Sequence, residues 1–261
     1  MKYFDASDEK KIPGRSIGPG ERFNFHCHAG LACFNQCCRN LNLLLYPYDV
    51  LRLRRHLKIT SDKFIDHYVD IVLRPGHHFP EVLLRMSDQP GQPCCFSTAQ
   101  GCRVYEDRPH TCRLFPVEQG ARMEAVEGYA TPVYFFRPPE FCQGSSEDFA
   151  QTIDEYLKDQ EAEEYYPLTL AWAQLRRLFA TDPWGLEGPQ GAKAKMAFMA
   201  AYNIDRFREF VFQSSFLKRY HVAPATVKKV KRSDEALLKF GFEWIRVFVW
   251  GQSSKEIRVR R

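Results

Sequence analysis

Nine cysteines, all placed before residue 143, constrain this 261-residue chain more than anything else in it. Eight fall in two tight groups. The first reads Cys27-x5-Cys33-x3-Cys37-Cys38 within FHCHAGLACFNQCCRN, and the second reads Cys94-Cys95-x6-Cys102-x9-Cys112. Cys142 follows alone in FCQG. Thiolate ligands need sulfurs a few ångströms apart about a common centre, and short loops supply that at little cost in chain entropy. Two groups separated by a helical stretch can furnish two halves of one site, or parts of two sites.

A disulfide framework fits badly. The cysteine count is odd, and Cys37-Cys38 and Cys94-Cys95 are vicinal pairs. A chain of this length with 44% hydrophobic residues can also bury a core without covalent staples. Residues 1–22 are polar and charged, with no apolar run of the signal-peptide kind. No uncharged apolar stretch reaches the roughly 18 residues of a membrane span. The expected compartment is the reducing cytoplasm, where clustered cysteines point to metal or redox chemistry.

The vicinal pair Cys37-Cys38 carries further information. Neighbouring side chains diverge by about 100° on a helix and point to opposite faces of a strand. Both binding one ion is awkward, whereas both serving a polynuclear cluster or two adjoining centres is feasible. The lean is toward iron–sulfur over a single tetrahedral zinc. Thiolates leave net negative charge to be offset, and Arg39, Arg103, Arg108 and Arg113 each lie close in sequence to a cysteine. Glycines 30, 91, 101 and 144 stand where the backbone is expected to turn tightly beside the cysteines.

The coarse pattern predicts a helix-rich α+β protein: an irregular cysteine-bearing region with a few short strands, then a helical C-terminal half. Residues 1–22 read as a lead-in, 23–145 as the cysteine-cluster domain and 146–261 as the helical region. Helices are expected over YPYDVLRLRRHLK, with Pro47 in its first turn, and over SDKFIDHYVDIVL, with Ser61 as N-cap. VLLRMS and RVYE read as extended, and RMEAVEGY with TPVYFF as paired strands. Beyond residue 145, helices are expected over SEDFAQTIDEYLKDQEAEEYY, TLAWAQLRRLFA, AKAKMAFMAAY, IDRFREFVFQSSFLKRY and DEALLKFGFEWIRVFVW.

Residues 25–142 resemble the CxxCxxCC-type cysteine-cluster family, described as a zinc- or iron-chelating domain and related to the cysteine-rich part of flagellin lysine N-methylases. The stretches that carry the likeness are FHCHAGLACFNQCC, YPYDVLRLRRHL, CCFSTAQGCRVYEDRPHTCRLFP and FCQG. The third is similar to a specific signature, C-x-F…G-C-x-x-Y-x-x-R-P-x-x-C-R-x-[FY]-P. The first group departs from the family by spacing its cysteines five and three apart instead of two and two. The resemblance implies metal ligation by Cys27, Cys33, Cys37, Cys38, Cys94, Cys102 and Cys112, with Cys142 as a further ligand. Cys95 falls on a variable position of the signature and is expected not to be one. The implied cofactor is an iron–sulfur cluster, 4Fe–4S foremost, or another iron centre, with zinc as the alternative.

Other residues read more plainly. His26 and His28 flank Cys27, where one of them can serve as a ligand or proton donor beside the cluster, although solvated or hydrogen-bonded loop histidines are the favoured reading. His110 can orient a sulfur, and again the ordinary reading leads. Asp49 opens a helix, where a carboxylate gains from the helix dipole. Residues 206–261 carry 14 Lys and Arg against 5 Asp and Glu, a net of +9, leaving −4 for the rest. That basic tail is read as solvated surface. The expected partner is a protein substrate or binding partner; the basic tail leaves nucleic acid open as the less expected alternative, and no membrane partner is expected. There is no glycine-rich phosphate loop, no HExxH and no Ser-His-Asp order. The leading expectation is a cysteine-ligated iron–sulfur or iron protein with a redox or protein-modification role. The alternatives are a structural zinc module for protein interaction and, by family analogy alone, a protein lysine N-methyltransferase.

Overall fold

A computed structural model describes residues 2–4, 12–123 and 130–260, with 2–4 and 123 by backbone alone. The fold is mixed α+β and helix-rich. It divides into two compact units interleaved in sequence. One comprises 1–43 and 86–173; the other comprises 44–85 and 174–261.

The first unit holds every cysteine. Its sheet has four strands in the order Lys2–Phe4, Val117–Met123, Ala130–Phe136, Arg15–Ile17. The first pair is parallel and the others antiparallel, with Val117 opposite Phe136. The strand expected over RMEAVEGY lies upstream, in VEQGARM, and residues 124–129 fall outside the described residues. A two-stranded ribbon pairs Arg22–Asn24 with Ala150–Thr152. Below it sits an apolar cluster of Ile17, Phe23, Phe25, Val117, Ile153 and Tyr156, which Cys142 joins. Phe23 meets Tyr156 edge-on at 5.6 Å, and the Tyr156 hydroxyl donates to the Phe115 carbonyl at 2.6 Å.

The long helix expected from residue 146 starts later. Residues 150–152 are strand, and Thr152 caps Ile153–Asp159: its Oγ1 accepts from Glu155 N–H while the Glu155 carboxylate accepts from Thr152 N–H. This reciprocal pair satisfies two orphan amides at once, which the Ser145-Ser146 pair, lying in a 3-10 turn, does not do.

In the second unit the helix Pro47–His56 has proline in its first turn and buries Val50, Leu51 and Leu53. Asp49 is fully buried and accepts the Tyr46 N–H at 2.8 Å, so it acts as a cap. The next helix, Ser61–Tyr68, is capped by Thr60, not Ser61, and stops five residues earlier than expected. Val69–Val72 instead pairs antiparallel with Glu81–Leu84. Val, Ile and Val in four positions favour the pleated strand. Helices Ala192–Tyr202, Ile204–Gln213, Pro224–Arg232 and Asp234–Trp250 complete the unit with a short ribbon of Tyr220–Val222 and Ile257–Val259. Fully buried Trp244 packs against Phe207, Phe210, Phe216 and Phe248. Among the described residues, no helix is long and apolar enough to cross a membrane.

Arg54 and Arg55 at the end of one helix meet Asp234 and Glu235 at the start of another. The hydrogen bond from Arg55 pulls the Glu235 carboxyl down to about 2, against an unfolded value of about 4.3. A carboxylate held below its unfolded value stabilises the fold above that value, and the contribution disappears as pH falls toward the folded one. Replacing Glu235 with Gln should therefore flatten the pH dependence of unfolding between roughly pH 5 and pH 2. Glu235 is 39% exposed, so solvent screening limits the loss at neutral pH to under about 1 kcal/mol. Denaturant midpoints of the two proteins across that range are the check; parallel curves would remove the ion pair from the account.

Candidate metal centre

The two cysteine groups converge. Cys94 N–H donates to the Cys38 carbonyl at 2.8 Å, Asn40 N–H donates to Gln92 O at 2.9 Å, and Arg39 bridges Pro93 antiparallel. Residues 38–40 and 92–94 thus lie side by side, although more than 50 residues separate them in sequence. All nine cysteines are free thiols.

Each ligand candidate sits on a short, locally determined element. Cys27 lies three residues past the end of the strand Arg22–Asn24 and is exposed. Buried Cys33 precedes the 3-10 turn Gln36–Cys38, which carries Cys37 and Cys38. Cys102 lies on the second strand of a hairpin, Ser97–Thr98 against Gly101–Cys102. Its tight return needs Gly101 at φ +121°, which a side chain would oppose. The extended reading of RVYE gives way to a 3-10 turn at Tyr105–Asp107, and Cys112 lies in the short helix His110–Leu114. Buried Cys142 precedes the 3-10 turn Gln143–Ser146. There Gly144 takes the His26 N–H at 2.9 Å, at a place where a Cβ would come within 2.9 Å of the His26 carbonyl.

Electrostatics link the eight predicted ligands into one network. Cys27 feels Cys33, Cys142 and Cys38; Cys37 feels Cys27, Cys112 and Cys142; Cys38 and Cys102 both feel Cys94. Burial, then these neighbours, pushes the Cys27 thiol up; burial does the same at Cys102 and Cys142. The divergence expected of the vicinal pair is not what the 3-10 turn gives. Cys38 donates to Cys37, raising Cys38 and lowering Cys37. Cys95 likewise donates to Cys94, and with Phe96 and Ser97 amides and the Arg103 charge this brings Cys94 down to about 7. The thiols are linked pairwise, not gathered about one point: among the described residues no three sulfurs lie within 4.8 Å of one another.

Backbone amides point at these sulfurs. Gln143 N–H reaches Cys33 Sγ at 3.3 Å and Phe96 N–H reaches Cys94 Sγ at 3.5 Å. Val104 donates to Cys102, and Gly144 and Ser145 donate to Cys142. Amide donors to sulfur favour the thiolate and tune any metal it holds. Nine free thiols, each coupled to a neighbour and several amide-solvated, form a donor set that fits zinc, iron or an iron–sulfur cluster.

The nearby arginines divide by task. Arg103 lies 5.1 Å over the Phe96 ring and Arg39 lowers Cys38, so both lend charge to the thiolates. Arg113, by contrast, is 1% exposed and spends its guanidinium on the carbonyls of Gln160 and Glu106 and the Tyr165 hydroxyl. It braces the helix of Cys112 instead of facing sulfur. His110 is buried, its Nε2 pairs with Gln119 Oε1 at 2.8 Å, and burial lowers its imidazole to about 4.

Beside exposed Cys27 opens a cavity of about 440 Å³, walled by Phe25, His26, Tyr105, Phe149 and Tyr156. One carboxylate escaped the sequence reading altogether. Glu147 Oε2 stands 3.4 Å from His28 Nε2, and the donor atoms of His26, His28 and Glu147 all lie within 4.8 Å of one another. An H-x-H pair can be read in sequence; a loop glutamate 119 positions away carries no signal.

Residues 26–152 match the model of the CxxCxxCC family, described as a putative zinc- or iron-chelating domain. No curated protein and no solved structure matches the chain.

Proposed function

We propose that the cysteine-cluster domain of residues 26–152 binds an iron–sulfur or other iron centre through Cys27, Cys33, Cys37, Cys38, Cys94, Cys102, Cys112 and Cys142, and serves redox chemistry or the modification of a protein substrate. One observation carries the reading: Cys94 N–H donates to the Cys38 carbonyl at 2.8 Å, so two groups of free thiols distant in sequence lie side by side. A single tetrahedral zinc takes four thiolates, so eight suit a polynuclear centre or two adjoining ones. A bound cluster would supply electron transfer or a Lewis-acidic edge.

The chain's own groups support that chemistry. Amides on Cys33, Cys94, Cys102 and Cys142 stabilise thiolate charge without bringing in protons. Cys27 is the exposed member, and it opens onto the aromatic-walled cavity, within the size range of ligand sites. A substrate lodged there would meet the centre at its accessible edge, beside exposed Cys27.

The test is anaerobic purification followed by iron, sulfide and zinc analysis and visible absorption. A brown protein with iron and sulfide, bleached by a strong reductant, is the expected result. Cys38→Ala and Cys94→Ala should each remove most of the absorption. A colourless, air-stable protein loaded with zinc would replace the iron reading with that of a structural zinc module.

A further inference from the structure

The geometry points to a second metal site, built from nitrogen and oxygen and distinct from the thiolates: His26, His28 and Glu147 holding one divalent first-row cation such as zinc or ferrous iron. The three donor atoms all lie within 4.8 Å of one another. Two imidazoles and one carboxylate form a donor set such cations accept, with coordination positions left open for water or substrate.

The backbone makes the arrangement. The rings of His26 and His28, two residues apart just past the strand Arg22–Asn24, lie with centroids 5.1 Å apart. The opposing segment is fixed to this one by three sets of backbone bonds. Ala150 pairs with Asn24, Phe25 N–H donates to Phe149 O at 3.1 Å, and His26 N–H donates to Gly144 O at 2.9 Å. Glu147 is therefore carried on a loop pinned on both sides, not on a free one. Phe149 stacks on the His26 ring at 5.1 Å and holds its plane.

His28 takes the Gly30 N–H on Nδ1 at 3.2 Å and turns Nε2 to the Glu147 carboxylate. A cation takes the place of the hydrogen between Nε2 and Glu147. The ring then carries its hydrogen on Nδ1 and gives up the long, solvent-exposed Gly30 contact. The side chains of His28 and Glu147 are 41% and 38% exposed, so an arriving ion needs no opening of the fold. His26 also lines the cavity at Cys27, which puts the open positions of this ion beside the space proposed for substrate. The inference goes beyond the thiolate centre and stands whichever metal that centre holds.

The test uses the full chain, purified anaerobically with its cysteine centre filled, and dialysed against cobalt(II). Wild type should bind one further cobalt per chain, shown by weak d–d bands without sulfur charge transfer and by two paramagnetically shifted imidazoles. His28→Ala and Glu147→Gln should each weaken that cobalt by roughly 10-fold or more, while the iron or zinc already bound, and its absorption, stay unchanged. Wild type taking up no further cobalt, or variants binding it as tightly, would overturn the proposal. So would loss of the thiolate-bound metal in both variants, since these residues would then belong to the cysteine centre. Failure of the iron–sulfur reading looks different: it changes the metal and colour of wild type and leaves the cobalt comparison intact.

Discussion

Removing the metal with excess chelator under reducing conditions is expected to unfold the cysteine-bearing unit while the second unit keeps its structure. The regular elements that hold the cysteines are slight: a hairpin of two-residue strands, a five-residue helix and 3-10 turns. Such pieces contribute few backbone hydrogen bonds and little cooperative burial of their own. A structural zinc site in a small domain is worth roughly 10–16 kcal/mol of apparent folding energy, against a whole-protein stability of about 5–15 kcal/mol. Loss of a centre of that order leaves little margin. The released sulfurs take up protons, since burial holds the Cys27 and Cys102 thiols above their ordinary value. Hydrogen exchange read by segment is the measurement. Amides of residues 94–112 and 27–38 should lose protection when metal analysis shows the ion gone, while those of Asp234–Trp250 retain theirs. Protection of 94–112 that survives complete metal removal would show a scaffold that folds first and merely receives its ion.

How much of this could be read in advance depends on the range of the interaction involved. Helices Ala192–Tyr202 and Asp234–Trp250 lie over the residues expected to be helical, although the even alternation of Phe240, Phe242, Trp244, Phe248 and Trp250 suits a strand as well as a buried helix. The helix from Ser61 was over-extended because Val69–Val72 takes its conformation from Glu81–Leu84, a partner that propensity does not see. Thr152 won the capping role over Ser145-Ser146 because residues 150–152 were first committed to pairing with Arg22–Asn24. The site divides in the same way. Eight cysteines announced themselves by type and spacing. Contact between residues 38–40 and 92–94 is a backbone pairing that no spacing encodes, and the approach of Glu147 to His28 depends on a glycine at 144 thin enough to let two segments touch. Arg113 shows the opposite case: sequence proximity to Cys112 suggested charge compensation, and the fold assigns its side chain elsewhere.

That assignment makes Arg113→Ala the point substitution with the largest expected cost in this unit. The side chain is buried, donates to the Gln160 and Glu106 carbonyls and to the Tyr165 hydroxyl, and lies 4.7 Å over the Tyr165 ring. Its carboxylate neighbour, Glu161 at 3.5 Å, is 73% exposed, so the binding is mostly to neutral oxygens inside the fold. Truncation takes a buried donor away from those oxygens and leaves a void where the guanidinium was; about 3–5 kcal/mol is the expected loss. Arg113→Lys should recover little, because one ammonium cannot reach two carbonyls and a hydroxyl through a planar fork. Helix His110–Leu114 then loosens and Cys112 with it, so metal content should fall alongside the denaturation midpoint. The two causes can be separated by mass action. A loosened but intact thiolate set regains its metal when free metal is raised, since binding to the folded form alone draws the equilibrium back. Cys112→Ala, which lacks the sulfur, should not recover in this way. If Arg113→Ala instead melts like wild type yet stays metal-poor at any metal concentration, the guanidinium serves the charge of the centre and the bracing role is wrong.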